Sequence, residues 1–272
     1  MLLGILQTAV FLDKTENIRR AARGVRALAH AGAEFVILPE MWNCPYAAKN
    51  FPLYAEPRGG ETFAALSDMA RSSHIWLIGG SIPERDGAAV YNTSFVFSPD
   101  GVCVATHRKM HLFDIDVHGG QRFYESETLS AGNTVTTFDT PWGLFGLCIC
   151  YDLRFPELCR LMALRGAVCV FVPAAFNMTT GPAHWDTLFR QRAVDNQLFT
   201  VGAAPARDTG APYISYAHSL AVSPWGDVLF RAGTRPQRAL VELDLTQIDA
   251  VRDQLPLLHH RRTDVYAVVE IN

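Results

Sequence analysis

Apolar positions along the chain follow two periods, which alternate from one end to the other. Short apolar runs typical of buried strands occur at 4–10, 35–38, 75–80, 144–149, 167–173 and 198–204. Segments with apolar residues three and four positions apart predict helices over 16–31 and 61–72, behind Pro156, up to about Gln197 and from 245 onward. Further strands are predicted at 91–97, 102–107, 134–138, 218–222 and 239–243.

The ends of these elements carry recognisable signals. We expect Thr15 to be the N-cap of the first helix, and Gly32 to lie just past its end. The alternation continues without a linker, a low-complexity tract or an internal repeat. The pattern therefore predicts a single α/β domain over 1–272.

Cys150 follows the apolar run 144–149, and polar residues come directly after it. Pro156 stands where the first turn of a helix begins. Cys150 is therefore predicted at a strand-to-helix turn near the positive end of a helix dipole, where the pKa of a thiol falls. Alternatively, it is a small buried residue that ends a strand, because most cysteines are buried and unreactive.

Two further strand ends carry charged residues. Glu40 directly follows the run 35–38, and ligand sites of open α/β sheets lie outside the carboxyl ends of strands. Lys109 follows the run 102–107, although a lysine in this position is usually solvated. Together, Glu40, Lys109 and Cys150 supply the base, the oxyanion stabiliser and the nucleophile that amide hydrolysis needs.

Composition excludes several classes of partner and location. The net charge of −3 gives no reason to expect nucleic acid or an anionic membrane. No apolar stretch approaches the roughly 20 residues that span a bilayer, and the N-terminus is more typical of a strand than of a signal peptide. The six cysteines form no C-x-x-C pair and have no zinc-type spacing. We therefore expect free thiols in a cytoplasmic enzyme with no metal and no cofactor.

Other catalytic motifs compete poorly with this set. The sequence has no G-x-S-x-G elbow, no Walker motif and no H-E-x-x-H. A papain-like pair of Cys150 with His184 or His218 remains open, although neither histidine has a local signature. A half-buried structural histidine is the alternative at both positions.

Four segments resemble the motifs of the nitrilase superfamily of carbon–nitrogen hydrolases, in the family's order: LPEMWNCPY, HRKMHLFDID, FYESETLSAG and GLCICYDLRFPEL. The segments NMTTGPAHW, RAVDNQ, SPWGDVL and RRTDVYAV are similar to those of its ω-amidase branch. The resemblance implies a four-layer α-β-β-α sandwich with two mixed sheets flanked by helices. It also implies a homodimer or higher homo-oligomer, with the C-terminal arm from about residue 254 at the dimer interface.

The resemblance assigns a role to each matching residue. Glu40 would be the general base, Lys109 the cation at the oxyanion and Cys150 the nucleophile that forms a thioester. Glu125 would hold the lysine and help to place substrate or water. The backbone N–H of Tyr151 would be a second oxyanion donor.

Resemblance to ω-amidases further implies small dicarboxylic monoamides as substrates, such as α-ketoglutaramate and α-ketosuccinamate, with water as the second reactant. The distal carboxylate of such a substrate needs a cation or several donors. From their positions, the candidates are Tyr46 and the loop residues Asn177, Met178, Thr179 and Thr180. Arg154 is expected in a structural ion pair instead.

Other functions remain open at this point. A near relative would hydrolyse deaminated glutathione or another linear amide, and a more distant one would act on nitriles or N-carbamoyl compounds. A scaffold that has lost the chemistry is also conceivable, but the intact Glu40, Lys109, Glu125 and Cys150 argue against it.

Overall fold

The computed structural model describes residues 1–271, which form sixteen strands and six α-helices. The strands are β1 Leu2–Gln7, β2 Phe35–Ile37, β3 Glu56–Pro57, β4 Trp76–Ile78, β5 Ile82–Asp86, β6 Ala89–Phe97, β7 Cys103–Arg108, β8 Asp114–Asp116, β9 Arg122–Tyr124, β10 Thr136–Thr140, β11 Gly143–Leu147, β12 Cys169–Pro173, β13 Phe199–Ala203, β14 Leu220–Val222, β15 Val228–Arg231 and β16 Gln237–Glu242. The helices are α1 Lys14–His30, α2 Phe51–Tyr54, α3 Glu61–Ser73, α4 Pro156–Leu164, α5 Gly181–Asn196 and α6 Thr246–Gln254.

Two mixed sheets contain most of these strands. The first has eight strands in the order β16-β1-β2-β4-β6-β5-β3, with β7 also paired to β6. Its strands β1, β2 and β4 are parallel, and β16 pairs antiparallel with β1. The second has six strands in the order β10-β11-β12-β13-β14-β15, of which β11, β12 and β13 are parallel. The parallel strands are buried, which explains their continuous apolar runs.

The two sheets pack face to face through one apolar core. Phe35 of the first sheet stacks on Phe171 of the second, with ring centroids 5.0 Å apart. Helices α1 and α3 cover the outer face of the first sheet, and α4 and α5 cover that of the second. The layers are therefore helix, sheet, sheet, helix, as the sequence resemblance implied.

Several details differ from the sequence expectations. The N-cap of α1 is Asp13, which accepts the backbone N–H groups of Thr15 and Glu16, so the assignment of Thr15 as cap is wrong. The sequence pattern did not indicate the strands β3, β5, β8, β9 and β15. No helix within residues 1–271 is both long and apolar enough to cross a membrane.

Candidate active site

Four charged or nucleophilic side chains predicted from the sequence meet at one end of the two sheets. Glu40 follows β2, Lys109 follows β7, and Cys150 lies beyond the end of β11. Glu125 begins a short 3₁₀ turn after β9. All four are buried, and Cys150 retains only 4% of its surface exposed.

Both sheets hold the carboxylate of Glu40 in place. Its Oε1 accepts hydrogen bonds from Lys109 Nζ at 3.0 Å and from Asn92 Nδ2 at 2.8 Å, and the Tyr46 hydroxyl lies 3.3 Å away. Its Oε2 accepts the backbone N–H of Ala175 at 2.7 Å. Asn92 belongs to the first sheet and Ala175 follows β12 of the second. The position of this carboxylate therefore depends on how the sheets pack together.

Lys109 lies between two carboxylates. Besides Glu40, its Nζ lies 2.9 Å and 2.8 Å from the two oxygens of Glu125. Glu125 in turn accepts the Tyr46 hydroxyl at 2.6 Å and the backbone N–H of Phe113 at 2.7 Å. Nζ makes hydrogen bonds to Glu40 Oε1 and Glu125 Oε1, and Glu125 Oε2 is an ion-pair contact; an ammonium group has three N–H donors, so one donor is left for another acceptor.

Cys150 lies on a sharp turn. Its φ of +48° is in the left-handed region, which costs a residue other than glycine about 1–3 kcal/mol and persists only where the surroundings enforce it. A 3₁₀ turn spans Cys150–Arg154, and α4 begins at Pro156 as predicted. The thiol and the Glu40 carboxyl interact closely enough that each shifts the pKa of the other.

Burial controls the protonation of this cluster. It is the largest reason why the pKa of Cys150 lies well above its usual value, and the charge of Glu40 adds to the effect while Lys109 opposes it. The expectation of a lowered thiol pKa at this turn is therefore wrong in its net direction, because burial dominates. Burial also raises the pKa of Glu40, against the opposing effect of Lys109. For Lys109 itself, burial acts to lower the pKa, but Glu125 and Glu40 outweigh it and the net pKa is raised.

The resulting arrangement is a thiol that burial keeps protonated, beside a carboxyl group whose pKa is raised and an ammonium whose charged form two glutamates favour. A thiol in this state needs a neighbouring base before it can act as a nucleophile. A carboxylate whose pKa is raised accepts a proton more readily than an ordinary one. The geometry can therefore support nucleophilic attack on a carbonyl, followed by stabilisation of the oxyanion.

A cavity of about 330 Å³ opens beside this cluster. Glu40, Tyr46, Ala175 and Tyr213 line its inner end. Tyr46 stacks on Tyr213 with ring centroids 4.4 Å apart, and the Tyr213 hydroxyl donates to the Ala175 carbonyl. A larger groove of about 540 Å³, between α1 and β16, contains none of these residues and is an open surface feature. We therefore regard the smaller cavity as the one relevant to the cluster.

The model of the carbon–nitrogen hydrolase family matches residues 2–253. The chain belongs to this family. It is therefore an amidohydrolase of the nitrilase superfamily, with the fold and the class of chemistry that the sequence motifs implied.

Individual relatives agree with this assignment. The chain is 49% identical to human omega-amidase NIT2, over 98% of this chain and 96% of the relative. Among solved structures, Nit3 of Saccharomyces cerevisiae superposes with a TM-score of 0.87 at 38% identity and 96% coverage of both chains. The Caenorhabditis elegans NitFhit protein superposes with a TM-score of 0.88 at 33% identity, over 98% of this chain and 66% of that one.

The structure places the four loop candidates of this carbon–nitrogen hydrolase between β12 and α5. Asn177 is buried, accepts the backbone N–H of Thr180 at 2.9 Å and donates from Nδ2 to Gln121 Oε1 at 2.6 Å. Met178 is 40% exposed, and Thr179 is also exposed. None of the four loop residues lines the cavity, whereas Tyr46 does. Their contact with substrate stays a prediction.

Arg154 does not form the expected ion pair. Within residues 1–271 no carboxylate lies at ion-pair distance from it, so the expectation is wrong. Its Nη1 lies 2.9 Å from His184 Nδ1, and its guanidinium lies over the ring of Phe176, 4.6 Å from the centroid. Burial lowers the pKa of Arg154, and Cys150 opposes this shift.

Neither candidate histidine supports papain-like chemistry. His184 contacts Arg154, and burial and the arginine charge both lower its pKa. His218 Nδ1 lies 2.9 Å from the carbonyl of Ala232. Across the described part of the chain, neither ring hydrogen-bonds to Cys150, so this alternative loses its support.

Sequence reasoning missed two partners of Glu40. Asn92 belongs to a run of three polar residues in β6, Asn92, Thr93 and Ser94, all of which are buried. The sequence signal for Asn92 was the run of three polar residues inside a strand whose last residues are apolar. Ala175 acts through its backbone N–H, which no side-chain pattern reveals.

Proposed function

We propose that this enzyme hydrolyses the terminal amide of small dicarboxylic monoamides, α-ketoglutaramate and α-ketosuccinamate, to the keto-diacid and ammonia. The observation that carries the proposal is the 48–49% sequence identity to omega-amidases over 98% of this chain. The buried cluster of Glu40, Lys109, Glu125 and Cys150 supports it, because the four side chains suit acyl transfer through a thioester.

The first half of the reaction forms the thioester. Glu40 takes the thiol proton of Cys150, and the sulfur attacks the amide carbon. The third N–H of Lys109 and the backbone N–H of Tyr151, at the start of the 3₁₀ turn, donate to the oxyanion. Loss of one such donor typically slows the reaction about 100- to 1000-fold. The carbon–nitrogen bond then breaks as Glu40 returns its proton to the departing ammonia.

The second half consumes water. Glu40 takes a proton from a water molecule, and the resulting hydroxide attacks the thioester carbon. The carbon–sulfur bond breaks, Glu40 passes that proton to the departing sulfur, and the thiol is regenerated as the acid is released. Glu125 keeps Lys109 in place through both halves, since it contacts the ammonium with both oxygens. The sum is amide and water to carboxylic acid and ammonia, and it needs no cofactor.

Arg154 is the cation that we propose for the distal carboxylate of the substrate. It lies four residues after Cys150 and has an aromatic neighbour, Phe176, in place of an acidic one. A guanidinium that is partly removed from water and not neutralised by a carboxylate gains most from binding an anion. A planar guanidinium also suits a carboxylate better than a point charge does.

We also propose a cytoplasmic homodimer. All six cysteines are free thiols, and free thiols favour a reducing compartment. The segment after α6 exposes apolar side chains, with Val265 67%, Val269 68% and Ile271 92% exposed. Such side chains are more stable when a second copy of the chain covers them, as the arm prediction from about residue 254 requires.

The test is ammonia release from α-ketoglutaramate by the wild type, Cys150→Ala and Cys103→Ala. Cys103 is a half-buried cysteine on β7 and serves as the matched control. Fast turnover that only Cys150→Ala abolishes supports the proposal. Parallel assays contain deaminated glutathione, glutamine, a nitrile and an N-carbamoyl amino acid. Turnover of one of these alone would overturn the substrate assignment, and silence across the panel would overturn the enzymatic one.

A further inference from the structure

A buried carboxylate outside the proposed reaction lies between the segments that carry Lys109 and Cys150. Asp152 is two residues beyond Cys150 and is fully buried. Its Oδ2 accepts the backbone N–H of Ile149, the residue before Cys150, at 2.9 Å. This contact fixes the entry to the turn on which the thiol lies.

The same carboxylate holds both flanks of Lys109. His107, two residues before the lysine, has Nε2 at 3.0 Å from Asp152 Oδ2. His111, two residues after it, donates its backbone N–H to Asp152 Oδ1 at 2.9 Å and has Nδ1 at 2.8 Å from the same oxygen. One carboxylate thus connects the peptide before Cys150 to residues on either side of Lys109.

The partners of Asp152 are themselves held in place. His107 is fully buried, and its Nδ1 lies 2.9 Å from Thr136 Oγ1. The His111 ring stacks on Phe155, with centroids 3.7 Å apart. Burial alone would raise the pKa of Asp152, but its hydrogen bonds to His107 and His111 hold it well below the usual range. The group is therefore a carboxylate at every working pH.

We propose that Asp152 is a positioning residue that sets the placement of the Lys109 ammonium relative to the Cys150 sulfur. The roles of Lys109 and Cys150 in this inference rest on the proposed function. An oxyanion donor must lie within hydrogen-bond distance of the oxygen on the carbon that the sulfur attacks, and a misplacement of about 1 Å lowers a rate about 100-fold. Asp152 is an acceptor and does not itself donate to the oxyanion. It acts through the two backbone segments that it joins.

The test is the Asp152→Asn variant, with Asp139→Asn as the control. Asp139 is exposed on β10. Asparagine presents one acceptor oxygen in place of two, so it leaves part of the donor set without a partner. For Asp152→Asn, kcat with α-ketoglutaramate falls about 100-fold while KM changes less than about threefold, because the interaction acts on the transition state. Asp139→Asn keeps wild-type values.

A second measurement is independent of any amide substrate. The rate of Cys150 alkylation by iodoacetamide is followed against pH by peptide mass spectrometry. Lys109 lowers the pKa of Cys150, so its displacement in Asp152→Asn moves the alkylation midpoint to higher pH. A purely structural role would lower the unfolding temperature without moving this midpoint in the folded protein.

A folded Asp152→Asn variant with wild-type kcat and a wild-type alkylation profile would overturn the inference. If that variant does not fold, His111→Phe decides, because it keeps the backbone N–H and the stack on Phe155 while removing Nδ1. We expect its kcat to fall about tenfold at constant KM, since one hydrogen bond to a charged group is lost, and an unchanged kcat contradicts the proposal. Should the wild type hydrolyse no amide, the proposed function fails and the alkylation profile alone decides the role of Asp152.

Discussion

Replacing Glu40 by glutamine separates two effects that this carboxylate has on Cys150. The substitution keeps the shape of the side chain and removes both its charge and its ability to take a proton. In the structure, Oε1 accepts from Lys109 and Asn92, and Oε2 accepts from Ala175. Glutamine has one oxygen, so its amide NH₂ must face donors on one of these two sides.

The structure sets the expected magnitudes. A buried donor left without a partner costs about 1–3 kcal/mol of stability, and Lys109 retains Glu125, so the buried ion pair is only partly broken. The variant is therefore expected to fold. A positioned general base contributes about 10²- to 10⁴-fold to a rate, and kcat for amide hydrolysis is expected to fall by that factor.

The Cys150 thiol is expected to become easier to ionise in this variant, even though kcat falls. Burial is the largest cause of the raised pKa of Cys150, and the charge of Glu40 raises it further, whereas Lys109 lowers it. Removal of the Glu40 charge therefore lowers the Cys150 pKa. The variant would hold a more easily ionised thiol and still turn over more slowly, because protonation of the leaving ammonia and activation of water both lack their base.

The assay combines steady-state ammonia release with the pH dependence of Cys150 alkylation. Glu56→Gln is the matched control, since Glu56 is also a buried glutamate that accepts a backbone N–H, from Thr62. Wild-type turnover in Glu40→Gln would refute the role of Glu40 as base. A shift of the alkylation midpoint to higher pH would refute the electrostatic argument.

Three further predictions follow from described contacts. Arg154→Met should raise KM for α-ketoglutaramate about 10- to 100-fold in steady-state assays, because a charge-assisted contact is lost. The KM for a neutral amide of similar length should stay unchanged. Equal effects on both substrates would contradict the assignment of Arg154 to the distal carboxylate. The depressed pKa of Asp152 stabilises the fold above the ordinary aspartate pKa of about 3.9, and this contribution is lost as pH falls through the folded-state value. Urea unfolding should therefore show the advantage of wild type over Asp152→Asn narrowing below about pH 4, and a constant difference would be inconsistent with that. Replacing Val265 and Val269 together by aspartate should convert the proposed homodimer to monomers in light scattering; a variant that stays dimeric would contradict the assignment of the arm to the interface.

Local sequence signals correctly predicted the helices and strands of this fold wherever such signals are present. Helix α4 begins at Pro156, which the proline marks, and α3 begins at Glu61, where the period of apolar residues changes; both starts are as expected. Strand β5 was missed because its sequence, IPERD, contains a proline and three charged residues. Strands β3 and β8 have only two and three residues and, unlike the equally short β2 and β4, contain charged residues in place of an apolar run.

The site was predictable in its principal side chains and not in their environment. The ends of strands are visible in the sequence, so Glu40, Lys109 and Cys150 could be grouped from the sequence alone. Burial depth is a property of the packed sheets, and it reversed the expected direction of the Cys150 pKa shift. Arg154 also depended on packing, because only the fold shows that an aromatic ring stands where a carboxylate was expected.

The pairing of β1 with β16 has a consequence for when this protein becomes active during its synthesis. Leu2 lies opposite Glu242, so the first sheet gains its edge strand only after residue 242 has left the ribosome. Glu40 and Cys150 belong to different sheets and meet only when these pack. A nascent chain therefore exposes a cysteine that has no base beside it, and return of activity on refolding reports docking of the sheets rather than formation of helices or strands.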